Sequence, residues 1–157
     1  VDLGAYSARL LEANPALTLL SVDAWLGTGG AHRQAVAQAR LAPFGARSVI
    51  AWSLSTGHAT LVPDESLDFV YIDAHHALPS VIADLAAWEP KVRSGGVVAG
   101  HDYFHMRDDR GALPMHVVEA TAAWSVSYRR LLCVLGTKSI GEGDVRDKPR
   151  SWMWVKA

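Results

Sequence analysis

The sequence predicts an α/β fold: a doubly wound, mostly parallel sheet with one antiparallel edge strand. Three observations predict it. Short β-prone runs alternate with segments of helical period, the pattern that builds βαβ units. The runs LTLLSVD (17–23) and LDFVYID (67–73) each end in an acid, and VVAG (97–100) runs into His101 and Asp102. The last two runs, 131–135 and 152–155, have no helix between them and should pair antiparallel at one edge.

Each element has a local reason. Residues 1–4 read as the tail of a strand. Residues 6–13, with Leu10 and Leu11, read as a helix that stops at Asn14-Pro15. After the strand 17–23 come Trp25 and a flexible stretch, 27–30. Residues 32–42 form an alanine-rich helix closed by Pro43 and Gly45. SVIAWSL (48–54) is the next strand, and 55–58 begin a polar turn or short helix. LDFVYID lacks clean alternation, as expected of a strand covered on both faces. Leu78, Val81, Ile82, Leu85 and Val92 then recur at helical spacing. Pro79 suits a first turn, and Pro90 ends the helix. Ser94, Gly95 and Gly96 turn the chain into VVAG, followed by His101, Asp102 and Tyr103. The two strands of this unit should lie parallel. Residues 106–114 read as a charged loop, with Arg107, Asp108, Asp109 and Arg110 either solvated or acting as a lid. Val117, Val118, Thr121 and Trp124 mark a helix face. Residues 136–149 are long and polar, with Gly141, Gly143 and Lys148.

Composition narrows the class. Half of the 157 residues are hydrophobic and a fifth are charged, as in soluble globular proteins. A net charge of −1 argues against a nucleic-acid or anionic-membrane surface. The lone Cys133 excludes an internal disulfide framework, and its apolar neighbours suggest a buried, inert thiol. No apolar run is long enough for a membrane span and no signal peptide is visible, which favours the cytoplasm. The oligomeric state is open, and a homo-oligomer is compatible with this composition.

The candidate site lies where two strands end. Open α/β sheets bind ligands at the carboxyl edge of their strands. Neighbouring strands sit about 4.8 Å apart. Asp73 and Asp102 would then face one pocket, with His76 and His101 beside them. Structural alternatives stand next to each role. Asp23 can cap the turn that follows it, and Asp73 can serve a helix N-terminus. A His-Asp pair after a strand can simply bond loop amides. His75 reads as a surface or turn residue, and His76 as a base or a structural histidine. Trp25 can stack on a ligand or sit in the core, whereas Trp52, Trp88 and Trp124 read as core.

The stretch IDAHHALPSVIADLAAWEPKVRSGGVVAGHDY resembles class I S-adenosylmethionine-dependent methyltransferases. It is most similar to the small-molecule and sugar O-methyltransferase-like group, methyltransferase domain family 24. The resemblance implies a Rossmann-like fold and a single domain over residues 1–157. It further implies that the first strand and the start of the glycine-rich turn precede Val1. Asp23 then takes the place of the acid that binds the ribose hydroxyls, because a carboxylate can accept two hydrogen bonds from a vicinal diol. Leu54 and Ser55 lie against the adenine, with Trp25 as a stacking candidate. Gly4 matches the last glycine of the turn beside the methionine part of the cofactor.

In metal-dependent relatives an acid after one strand and two residues after the next hold Mg²⁺. Carried over, these are Asp73, His101 and Asp102. Magnesium prefers oxygen ligands, so His101 leaves room for Mn²⁺, Fe²⁺ or Zn²⁺. His76 matches the family's histidine and is the candidate general base, working with Asp73. The family's tyrosine two residues later is Leu78 here. The implied activity is methylation of a hydroxyl on a small-molecule or sugar acceptor, with S-adenosylmethionine as cofactor and a divalent metal (Mg²⁺ or Mn²⁺) admitted. The alternative is a degenerate methyltransferase-fold module that binds a nucleotide without chemistry. A hydride-transfer enzyme is disfavoured, because no complete G-x-G-x-x-G is present.

Overall fold

In a computed structural model, which describes residues 1–105, 115–136 and 149–157, the chain divides into two units, 1–58 and 59–157. The expected loop 106–114 and nearly all of the polar stretch 136–149 lie outside the described residues.

The first unit opens with a turn rather than the strand tail expected at residues 1–4. Gly4 sits there in the left-handed region (φ 75°) and caps helix α1, Ala5–Ala13. A side chain at Gly4 would be strained in that conformation and would press on Ala37 of the second helix. Helix α1 ends at Asn14, just before Pro15. Strand β1 (Leu19–Asp23) follows, then helix α2 (Gly30–Leu41), a 3₁₀ segment (Ala42–Arg47) and strand β2 (Ser48–Trp52). β1 and β2 pair in parallel from Leu19↔Ser48 to Asp23↔Trp52. Ala8, Leu11 and Leu41 form the buried centre of this unit, with Phe44 and Ile50 packed against them. A short helix α3, Ser55–Ala59, comes after β2.

The second unit contains β3 (Leu67–Ile72), α4 (Leu78–Trp88), β4 (Val92–Gly100), α5 (Val117–Ser127), β5 (Cys133–Val134) and β6 (Trp152–Val155). Its strand order is β3-β4-β6-β5. β3 and β4 are parallel, and β6 is antiparallel to both β4 and β5. The last two strands therefore pair antiparallel, as expected, with the reversed strand inside the sheet and β5 at its edge. Cys133 lies on that edge and is exposed, not the buried thiol expected from its apolar neighbours. Among the described residues only one side of the two-residue β5 has a partner strand, so nearby sequence hydrophobicity does not translate into burial.

Ser94, Gly95 and Gly96 are not the turn expected ahead of the strand; they lie inside β4. Leu67 pairs with Val92 but Phe69 with Val97, so β4 carries extra residues in a bulge. Gly95, at φ 75°, allows it, and the bulge is tied to the chain's end by Gly95 N–H to Lys156 O (2.7 Å). Beyond the bulge the pairing is regular up to Ile72↔Gly100. Gly100 also faces Trp152 across β6. A methyl group there would be driven into the Ile72 carbonyl oxygen and the Trp152 indole.

The unit's core holds Val81, Leu85, Trp88, Val92, Val98, Ala120, Trp152 and Trp154. A carboxylate sits among them. Glu89 is buried, and its oxygens accept from Arg130 Nε (2.7 Å), Trp154 Nε1 (3.3 Å) and Trp124 Nε1. Such a charge is tolerable inside because it is paired and fully hydrogen-bonded. Among the described residues no helix is long and apolar enough to cross a membrane.

The Gly100 contact generates a prediction. Gly100→Ala should lower stability by about 1–3 kcal/mol through overpacking, read as a reduced urea midpoint with an unchanged m-value. A midpoint equal to the parent's would refute the close-approach account.

Candidate active site

β3 and β4 run side by side in one direction, so the residues after each emerge at the same sheet edge. Asp73 follows Ile72, and His101 and Asp102 follow Gly100. The backbone then turns sharply: Asp102 adopts φ 60°, a left-handed conformation that aspartate tolerates better than most residues. Its neighbours hold that turn. His101 N–H donates to Ile72 O (3.1 Å), Trp152 Nε1–H donates to His101 O (3.1 Å), and Tyr103 N–H donates to Arg150 O (2.8 Å).

The result is a close trio. His76 Nε2 lies 3.0 Å from Asp102 Oδ2 and 3.4 Å from Asp73 Oδ1. One ligand atom from each of Asp73, His76 and Asp102 lies within 4.8 Å of the others. The Asp102 side chain is largely covered, whereas about half of Asp73 is open. His101, expected as a ligand, is not in the trio. Its Nδ1 instead meets the other oxygen of Asp102 at 3.3 Å, so it braces that carboxylate from the far side. His76, expected as a base, occupies the position between the two acids. His75 is an exposed loop residue whose Nδ1 accepts from Ala77 N–H (3.3 Å).

Electrostatics follow from the trio. The His76 hydrogen bond lowers the Asp73 pKa against the effect of burial, and the charges of His101 and His76 add to it. The Asp73 hydrogen bond raises the His76 pKa; burial opposes this, and the charge of Asp102 reinforces it. The imidazole therefore keeps its proton to a higher pH than a free histidine would. Proton removal by His76 must compete with that stabilisation.

The first unit holds the other candidates. Asp23 Oδ1 accepts from Trp25 N–H (2.7 Å) and Oδ2 from Asp2 N–H (2.8 Å). Burial works against ionising Asp23, but these amides together with the charged Val1 amino group outweigh it and its pKa is lowered. Asp23 thus caps the following turn; Oδ2 also lies 3.2 Å from the Val1 amino nitrogen, and Oδ1 keeps a further lone pair for a ligand. Trp25 is buried and its indole N–H donates to Asp2 O (2.9 Å), so it is not an open stacking face. The open tryptophan is Trp52, which departs from the expected core role. It is 72% exposed, sits at the end of β2 opposite Asp23, and donates to Ala24 O (3.0 Å). Leu54 is also exposed, and Ser55 starts α3. Trp88 is buried, and Trp124 is half-buried with its N–H on Glu89.

Sequence reasoning passed over Trp152 and His116. Nothing in the sequence marks Trp152 as a donor to His101 O, because that contact depends on strand order. His116 had one signal, its place just before the Val117–Val118 helix face.

Residues 2–103 match a family model described as a methyltransferase domain. The chain belongs to this methyltransferase family. Solved structures agree on the fold. An O-methyltransferase of Bacillus cereus, solved in complex with SAH, is 16% identical with a TM-score of 0.63, covering 98% of this chain and 80% of that one. A Klebsiella pneumoniae protein proposed to be an O-methyltransferase is 19% identical with a TM-score of 0.71, covering 99% and 70%. A precorrin-6y C5,15-methyltransferase of Geobacter metallireducens is 13% identical with a TM-score of 0.65, covering 99% and 77%. At such identities the likeness establishes a Rossmann-like methyltransferase fold and not the acceptor. No curated protein matches the chain significantly.

The pKa directions predict a stability window. A lowered Asp73 contributes stability above about pH 4, its unfolded range, and loses it as pH falls through the folded value. A raised His76 contributes fully below about pH 6.5 and loses its share as pH rises through the folded value. Both contributions act together between about pH 4 and 6.5. In chelator-treated protein, an NMR titration should place the His76 midpoint above about 6.5, and Asp73→Asn should lower it. An unshifted imidazole in the parent would contradict this electrostatic account.

Proposed function

We propose that this protein transfers the methyl group of S-adenosylmethionine to a hydroxyl of a small-molecule acceptor such as a sugar. The observation that carries the reading is the Asp73–His76–Asp102 trio at the strand ends of a methyltransferase-family chain. We propose further that residues 1–157 make up a single methyltransferase domain.

In the first unit Asp23, ionised and held by two amides, suits the two hydroxyls of a ribose. Trp52 and Leu54 offer exposed apolar surface for a purine, a role the sequence suggested for Trp25. Gly4 keeps the start of α1 free of a side chain.

In the second unit two carboxylates and one imidazole would hold a divalent cation, with His101 bracing Asp102. A mixed oxygen and nitrogen set suits Mn²⁺, Fe²⁺ or Zn²⁺ better than Mg²⁺. When bound, the donor supplies an electrophilic methyl group and the cation lowers the pKa of an acceptor hydroxyl. The protein's own part is positioning: Asp73 and Asp102 fix one point of the acceptor, and Asp23 orients the donor. With no cation present, His76 Nε2 carries a proton shared with both carboxylates.

The test is transfer of a labelled methyl group from S-adenosylmethionine to a panel of sugars and catechols, with Mn²⁺, with Mg²⁺ and with a chelator. Methylated product is expected with Mn²⁺, and the chelator should suppress it. Asp102→Asn should remove at least about 99% of turnover, in line with loss of metal-assisted activation, and leave S-adenosylhomocysteine affinity within about 2-fold. Asp23→Ala should instead weaken that affinity about 10-fold or more, as expected for lost hydrogen bonds to a charged group. Binding of S-adenosylhomocysteine with no turnover on any acceptor would favour a binding module without chemistry.

A further inference from the structure

Helix α4 begins without a cap of its own. Its N-cap is Ala77, whose side chain offers no acceptor. Pro79 has no N–H and Ser80 N–H donates to Ala77 O (2.9 Å), so of the first three positions only the Leu78 amide needs a partner from outside the segment. The Leu78 amide finds one elsewhere: it donates to Nδ1 of His116 at 3.3 Å. His116 is itself the N-cap of α5, and its side chain does not cap that helix. Its backbone N–H donates instead to the carbonyl oxygen of His76 at 2.8 Å. One residue thus grips the chain on both sides of Ala77, accepting at Leu78 and donating at His76.

The grip lies directly behind the trio. His76 reaches Asp73 and Asp102 from a loop that begins after β3 and ends at Leu78. Besides the His76 ring on Asp73 and Asp102, that loop is held by Ala77 N–H on His75 Nδ1, by the Ser80 and Val81 amides on Ala77 O, and by the two bonds made by His116. Val117, which follows His116, is buried and helps line a small recess with Ile72, Val81, His101 and Trp152. The base of α5 is therefore anchored in the same packing that carries the site.

We propose that His116 is a positioning residue that holds His76 between Asp73 and Asp102 by clamping the His76–Leu78 backbone. It touches neither the two carboxylates nor any reacting atom in this arrangement; it acts through His76. The clamp depends on an acceptor at the place of Nδ1. Asparagine can offer its side-chain oxygen at the same distance along the side chain, whereas glutamine offers it one carbon further out.

The inference rests on the proposed role of the trio, so its test has two readouts. The first is the ¹H–¹⁵N spectrum of the His76 ring in metal-free protein, which depends on no activity. His116→Asn should keep the parent's ring signals, and His116→Gln should shift and broaden them. The second is Mn²⁺ affinity by calorimetry: His116→Asn should stay within about 2-fold of the parent, and His116→Gln should bind about 10–100-fold more weakly, the range for partners behind a ligand. If Asn and Gln variants match each other in the ring spectrum, the clamp is overturned. If the parent binds no Mn²⁺ while the ring spectra still separate the two variants, the clamp stands and the metal reading falls.

Discussion

The site depends on the in-phase pairing of β3 with β4. Ile72 faces Gly100, so the next residues of both strands leave the sheet at one level. That level is kept by a contact only glycine permits, with the Ile72 carbonyl on one side of Gly100 and the Trp152 ring on the other. Upstream, the bulge around Gly95 absorbs the mismatch between the two strands, so that the last four pairs run without interruption. Side chains alternate faces along a strand, and a one-residue slip would turn the terminal acids to opposite sides. The meeting of Asp73 and Asp102 around one imidazole is therefore a consequence of register before it is a matter of local sequence.

Two carboxylate clusters in the same unit show how burial divides structural from chemical roles. Glu89 lies in the core with both oxygens occupied by a guanidinium and two indoles. It has little capacity left for a ligand, and its pairing keeps a buried charge tolerable. Asp73 and Asp102 are arranged differently. They share a single imidazole nitrogen, and Asp73 is half open to solvent. Two acids that share one proton-bearing group can exchange it for another cation, which a saturated buried carboxylate cannot. Asp23 in the first unit is intermediate, held by two amides and the Val1 amino group yet with acceptor capacity left on Oδ1.

Much of the fold was legible. Apolar runs closed by acids located β1 and β3, helical spacing located α4, and Pro79 and Pro90 marked its ends. The shared edge for Asp73 and Asp102 followed from the strand–helix–strand order alone. Legibility stopped where a position depends on what lies across from it. Trp52 looked like core because tryptophan is usually buried, but it ends a strand and stays open. Cys133 looked buried from its neighbours, but it falls on an edge. Ser94-Gly95-Gly96 looked like a turn because glycine permits both a turn and a bulge.

By itself the sequence determined the periodicities, the strand ends and the acids placed there, because these are properties of residues within a few positions of one another. Only tertiary structure decided that His76, and not His101, stands between the carboxylates. The choice between them depends on how the loop after β3 is held by His116, forty residues further on, and on how Trp152 fixes the carbonyl of His101. Those partners meet through sheet order and helix packing, and no local pattern encodes a hydrogen bond across that distance.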